Sequence, residues 1–108
     1  MYTSYFAKYK GKDGISIALS SPKWFSCPSY PDLFPYWEII NKYKSDNDEN
    51  YYTDRYILNV LDKLDPEKVL YDLKGKVMLC WEKSGTFCHR RIVANWIQTN
   101  TGTCVPEI

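Results

Sequence analysis

Five apolar residues in a row, Val77-Met78-Leu79-Cys80-Trp81, constrain this chain more than any other feature. Lys76 stands before the run and Glu82 after it. A strand with one solvated face alternates apolar and polar side chains. An unbroken run between charges fits a strand buried on both faces, the habit of parallel sheets. Parallel neighbours need long crossover connections, usually helices. The run therefore asks for helices elsewhere in the chain.

The helices are legible. Tyr36, Ile39, Ile40 and Tyr43 recur at helical spacing after Pro35 and predict a first helix. The polar stretch 45–50 reads as an exposed connection; it lacks the central glycine and later glutamate of a calcium loop. Tyr51 to Leu64 predicts a second helix with Thr53, Ile57, Val60, Leu61 and Leu64 along its seam. Asp65-Pro66-Glu67 starts a third. Asp65 can cap it, Pro66 loses nothing at the first position, and Glu67 suits the positive end of the dipole. Gly75 ends it. Residues 87–99 predict the last helix, with Thr86 as its cap and Gly102 as its stop.

Residues 2–9 and 15–19 read as strands, and Thr103-Cys104-Val105 as a returning edge strand. The stretch from Pro22 to Pro35 holds four prolines and reads as an ordered loop. The expected fold class is α/β: one domain over 1–108, three-layered, with a short, mostly parallel sheet of three to four strands and helices on both faces.

Charge narrows the function. The chain has 14 basic and 13 acidic residues. Residues 1–54 carry 6 basic and 7 acidic groups, and residues 55–108 carry 8 and 6. Neither half is a basic block, which argues against a general phosphate-backbone binder. A small anion pocket stays open, and so does nucleic acid as a partner. Aromatic residues make up 17%. Most such rings serve a small core; a few can line a pocket for a planar ligand.

No basic residue precedes an apolar run at the N-terminus, and no apolar stretch nears the roughly 20 residues of a membrane span. A soluble, cytoplasmic chain with no membrane partner is the expectation. Its four cysteines, Cys27, Cys80, Cys88 and Cys104, form no CxxC pair and are expected to be reduced thiols.

The segment from Cys80 to Arg91 concentrates reactive residue types. On a helical wheel Ile92, Val93 and Trp96 share a face, and His89 falls near its middle. Arg90 flanks that face and reaches the helix mouth; Arg91 points away into solvent. Cys88 and His89 lie in the first turn, where unpaired N–H groups and the dipole favour anions and lower a thiol's pKa. Ligands of open α/β sheets collect beyond the carboxyl ends of the strands. Ser20, Ser21, Lys23 and Trp24 follow the second strand and should open on the same side. The expected catalytic set is Cys88 as nucleophile, with His89 and Glu82 as acid or base. The expected ligand-binding set is Arg90, Cys80, Ser20, Ser21, Lys23, Trp24 and Trp81, with a tryptophan stacking on a base.

Blander readings accompany each. Cys80 can be a small apolar filler, His89 a satisfied core residue, and Arg90 a brace for the turn through Glu82. Cys80, Cys88 and His89 make three zinc-type ligands with no clear fourth, so no metal and no cofactor is assigned.

Residues 77–83, followed by Phe87-Cys88-His89-Arg90-Arg91-Ile92-Val93-Ala94-Asn95-Trp96-Ile97, resemble the C-terminal signature of domain-of-unknown-function family 488. That signature is an apolar strand ending L-C-x-E, a short turn, then C-H-R and a helix. Ile15-Ser16-Ile17-Ala18 with Pro22-Lys23-Trp24-Phe25, Tyr30-(x)2-Leu33-(x)-Pro35, and Leu58-(x)2-Leu61-Asp62-(x)-Leu64-Asp65-Pro66 resemble one branch of it. Ser20-Ser21 departs from the glycine common there. The resemblance implies a compact bacterial or phage-borne α/β domain and no particular reaction. Whether the chain is an enzyme stays open. Two functions follow as expectations: binding or processing of an anionic, nucleotide-like ligand at the Cys-His-Arg turn, or a non-enzymatic protein-interaction module.

Overall fold

The computed structural model describes all residues, Met1–Ile108. The apolar run forms β3 (Val77–Cys80), and every residue of it is buried. It is the middle strand of a three-stranded sheet, between β1 (Tyr2–Tyr5) and β2 (Gly14–Ser16). Both pairings are parallel, with Thr3 and Ile15 on either side of Met78. Central position explains why β3 has no polar side chain. The strand is flanked on both edges and covered on both faces. Gly14 matches a close approach: a Cβ there would meet Leu79 Cδ1 at 2.8 Å.

The sheet's outer edges are closed by irregular chain. Beside β2, Ser16 N–H donates to Pro28 O and Ser16 O accepts from Tyr30 N–H, both at 2.9 Å. The proline-rich loop is thus ordered, with one helical turn at Pro31–Leu33. Beside β1, Thr3 N–H donates to Pro106 O and Ile108 N–H donates to Thr3 O. The chain does return to the sheet edge, but at 106–108 rather than at Thr103-Cys104-Val105. Such pairing occupies the outer edges at Thr3 and Ser16.

Four helices complete the fold. α1 (Trp37–Asp46) and α2 (Glu49–Asn59) adjoin at Asn47, whose positive φ of 53° turns the chain, and Asp48, whose carboxylate caps α2 by accepting from Tyr51 N–H. Residues 45–50 are therefore a tight helix junction instead of a long connection. α2 ends at Asn59, and a separate turn spans Leu61–Lys63. α3 (Pro66–Asp72) has Asp65 as its cap, accepting from Glu67 N–H at 3.0 Å. α4 (His89–Thr101) stops at Gly102, which takes the left-handed conformation. Its cap position is Cys88, two residues later than the sequence suggests.

The main core joins Ile15, Ile17 and Met78 to Leu33, Ile39, Tyr52, Tyr56, Val93 and Ile97 from the helices and loop. A second cluster holds Val77, Leu79, Cys80 and Cys88, with Phe6, Tyr9 and Phe25 around it. On α2 the deeply buried pair is Tyr52 and Tyr56, while Thr53 and Ile57 are half-buried. Val60 and Leu61 are buried as expected, and the seam before them is rotated by one residue. Tyr56 supplies the reason: its hydroxyl donates to Leu33 O at 2.6 Å, so a large ring goes inside with its polar tip satisfied. Burial raises this hydroxyl's pKa well above its ordinary value. Tyr56→Phe is expected to cost about 1–2 kcal/mol, because Leu33 O loses its donor in a dry site. Urea unfolding measures it; an unchanged midpoint would contradict the assignment.

No helix is long and apolar enough to cross a membrane.

Candidate functional site

A cavity of about 320 Å³ opens beyond the carboxyl ends of β2 and β3. Ala18, Leu19 and Ser20 follow β2 into its wall; Cys80, Trp81 and Glu82 close β3 onto it. Phe87, Cys88 and His89 bring the start of α4 to its floor. The remaining side comes from α1 and α2 through Ile40, Tyr43, Lys44 and Tyr52. This is where parallel α/β topology leaves a crevice and points backbone N–H groups into it. A broader groove of about 740 Å³ lies between α2 and α4, lined by Thr53, Asn95, Thr99 and other mostly polar residues. It shares Phe87 and Cys88 with the first cavity but lacks the strand ends, Glu82 and His89.

Of the residues singled out from sequence, Cys80, Trp81, Glu82, Cys88, His89 and Ser20 meet in the strand-end cavity. Trp81 is 50% exposed yet held in place. Its indole N–H donates to Ser20 O at 3.0 Å, and its ring packs edge-on against Phe6 at 5.2 Å. Opposite, Tyr43 stacks on Phe87 at 5.1 Å, and Tyr52 meets Phe87 edge-on at the same distance. Burial raises the pKa of both tyrosines, and the nearby Glu82 charge adds to it. They are neutral hydroxyls at physiological pH.

His89 points inward as the helical wheel predicts. Nε2 lies 2.7 Å from Ile17 O, and Nδ1 lies 3.8 Å from Cys88 Sγ. Burial lowers its pKa to about 4, with the Arg90 charge adding to the effect and the Ile17 hydrogen bond opposing it. The ring is therefore neutral at pH 7. It can accept a proton at Nδ1, but it is a poor acid there.

Arg90 departs from expectation. It does not reach the helix mouth but is 1% exposed. Its Nε and NH2 donate to the two carboxylate oxygens of Glu107 at 3.0 and 2.8 Å. NH1 donates to Glu82 O at 2.8 Å and to Cys80 Sγ at 2.9 Å. Four of its five N–H donors are committed in a buried position, so Arg90 braces the strand–turn–helix unit and is not presented to the cavity. The brace runs through the backbone of Glu82, not its side chain. Burial alone would raise the Glu107 carboxyl; hydrogen bonds from Arg90, Ser84 and Thr3 outweigh it and hold the pKa down at about 2. Arg91 is exposed, as expected, but it is not free of partners. Its guanidinium donates to Thr3 Oγ1 and Val105 O, both at 2.8 Å, tying α4 to β1 and the chain's end.

Three further candidates stand outside the cavity wall. Ser21 donates to Ser16 Oγ at 2.8 Å. Lys23 is exposed. Trp24 is exposed, with Lys10 Nζ 3.5 Å from its ring centroid on one face. The strand-2 exit turns at Pro22 and carries these residues past the opening.

The cysteine expectation is also revised. Cys80 and Cys88 are joined as a disulfide, while Cys27 and Cys104 are free. The two stand eight positions apart, so no CxxC pattern announces the pair. The turn after β3 folds back and sets the α4 cap against the strand end. A bonded Cys88 is no nucleophile until it is reduced.

Lys44, Tyr43, Tyr52 and Phe87 were missing from the sequence-based site, as was Glu107 from the brace. Tyr43 lay on the expected α1 stripe, a signal for burial but not for a cavity wall. Glu107 carried no local signal.

No family model, no curated protein and no solved structure matches this chain.

Proposed function

We propose that this α/β domain binds a planar ligand bearing an anionic group, nucleotide-like in chemistry, in the strand-end cavity. The carrying observation is the cavity itself: a partly open cleft of small-ligand size, walled by positioned aromatic rings, against a helix N-terminus. Trp81 offers a half-exposed face for a base. Lys44, with the first N–H groups of α4, replaces Arg90 as the partner for the anionic group. Ser20 and Glu82 supply polar contacts at the rim. Processing of the ligand would fall to Cys88, Glu82 and the Nδ1 of neutral His89, once Cys88 is a free thiol.

The resemblance to family 488 and a cytoplasmic, bacterial or phage-borne setting belong to the same proposal. So does the layering: helices frame the cavity from the Met78 side of the sheet, and Phe6, Tyr9 and Phe25 close the other side.

Calorimetric titration with a panel of nucleoside monophosphates tests the reading. Trp81→Ala is expected to weaken binding by about 1–3 kcal/mol, the worth of one base–aromatic stack. Lys44→Ala weakens it less and removes part of its salt dependence. No binding by the wild type, or full binding by Trp81→Ala, would overturn it.

A protein-interaction module is the second reading, favoured by Trp37 at 61% exposure and Tyr71 at 81%. A stoichiometric protein complex lost on Trp37→Ala, with Cys88 and His89 variants unaffected, would support it.

A further inference from the structure

The cavity floor gathers three metal-ligand atoms: Cys80 Sγ, Cys88 Sγ and a ring nitrogen of His89 lie within 4.8 Å of one another, and all three residues are buried. Ile17 O can only accept a hydrogen bond, so the Nε2 that it meets carries the ring's hydrogen. In the neutral ring, Nδ1 is then a bare lone pair directed at Cys88 Sγ. A disulfide sulfur has no hydrogen to donate. While the sulfurs are bonded, this buried lone pair faces no donor. Arg90 NH1 also donates to Cys80 Sγ, which favours a thiolate there.

We propose that, once reduced, Cys80 and Cys88 bind a divalent zinc-class cation together with His89 Nδ1, leaving the fourth tetrahedral position open to the cavity. Zinc–sulfur and zinc–nitrogen bonds of about 2.3 and 2.0 Å in a tetrahedron place S and N roughly 3.5 Å apart. The Nδ1–Cys88 Sγ separation is already 3.8 Å. The Cα atoms of Cys80 and Cys88 stand 7.4 Å apart, leaving room for their sulfurs to part by side-chain rotation. The Nε2–H bond to a backbone carbonyl is the outer contact that orients a metal-bound histidine. Two thiolates balance the ion's charge, and Arg90 and Glu107 balance each other. Sulfur and imidazole donors select zinc-class ions over calcium or magnesium. The fourth ligand that the sequence lacks is thus a position left for water or a cavity ligand.

The balance is simple. A dithiol reductant supplies two electrons and two protons, the S–S bond breaks, and two thiols form. Ion binding then releases both thiol protons to solvent. The proposal does not rest on the nucleotide reading, since its probe is the metal alone.

The test uses purified full-length protein reduced with a dithiol, freed of reductant without air, equilibrated with zinc sulfate and desalted. Elemental analysis is expected to find about one zinc per chain. Cobalt(II) in its place is expected to show thiolate-to-cobalt charge-transfer absorption. Cys88→Ser should abolish both signals; serine is a favoured helix cap, so circular dichroism should show an intact fold. Cys80→Ser should do the same, and His89→Gln should weaken retention and alter the cobalt spectrum. The Cys27→Ser/Cys104→Ser double variant should keep both signals. Less than about a tenth of a zinc in the reduced wild type, or undiminished zinc in folded Cys88→Ser, would overturn the proposal.

Discussion

Glu107→Leu is expected to destabilise the protein by about 3–5 kcal/mol, the usual cost of stranding one member of a buried ion pair. Arg90 is the member stranded: it is 1% exposed, so water cannot replace the carboxylate. Its remaining contacts, Glu82 O and Cys80 Sγ, are uncharged acceptors on one amine only. At this chain length 3 kcal/mol corresponds to a fall in melting temperature of roughly 12 °C or more. The Arg90→Leu/Glu107→Leu double variant is expected to recover much of the loss, because an apolar pair carries no desolvation penalty. Scanning calorimetry of both variants and the wild type checks this. A shift under about 3 °C for Glu107→Leu would mean that Arg90 finds water and that the brace carries little of the fold.

The second large effect is acid sensitivity set by His89. In the unfolded chain a histidine titrates near 6.5; in the fold His89 is held at about 4 by burial. Between those values the unfolded state binds a proton that the native state does not. Its contribution is therefore complete above pH 6.5 and is lost as pH falls toward 4. The loss approaches 1.4 kcal/mol per pH unit in mid-window and about 3 kcal/mol in all. Glu107, lowered to about 2 from 4.5, adds a separate loss that begins below pH 4.5 and runs down toward 2. His89 is the chain's single histidine, so no other imidazole confuses the upper window. His89→Gln can keep a donor to Ile17 O and should flatten stability between pH 6.5 and 4.5. Urea midpoints across that range measure it. Parallel curves for variant and wild type would contradict the burial of a neutral ring.

Much of this architecture was readable in advance because it rests on local pattern. An uninterrupted apolar run marked β3. Asp65-Pro66 marked the start of α3, and Gly102 the end of α4. The wheel aimed His89 correctly. The misses share a different cause, since each depends on a partner that the local pattern does not mark. Arg90 is drawn inside by Glu107, 17 residues on, which arrives only because residues 106–108 pair with β1. The α2 seam follows Tyr56, whose hydroxyl partner is Leu33. Cys80 meets Cys88 because a turn reverses the chain between them. Trp24 is diverted from the cavity by Pro22 and held by Lys10. Periodicity reports which face of an element is apolar; it does not report which polar group will be brought to meet it.

The brace also explains how so reactive a set of residues is held still. Arg90 ties Cys80, the turn at Glu82 and the chain's end to one point of α4. The cavity floor is thereby fixed while Trp81, Lys44 and Glu82 stay accessible at its rim. That the strand-end cavity, with this fixed floor and open wall, is the ligand site is the central proposal about the molecule.

A backbone and indole N–H map of the isotope-labelled protein, titrated with nucleoside monophosphates, tests it most directly. The predicted result is a saturable set of shifts at Ser20, the Trp81 indole, Phe87 and His89. Shifts confined to the α2–α4 groove at Thr53, Asn95 and Thr99, or none at millimolar ligand, would contradict it.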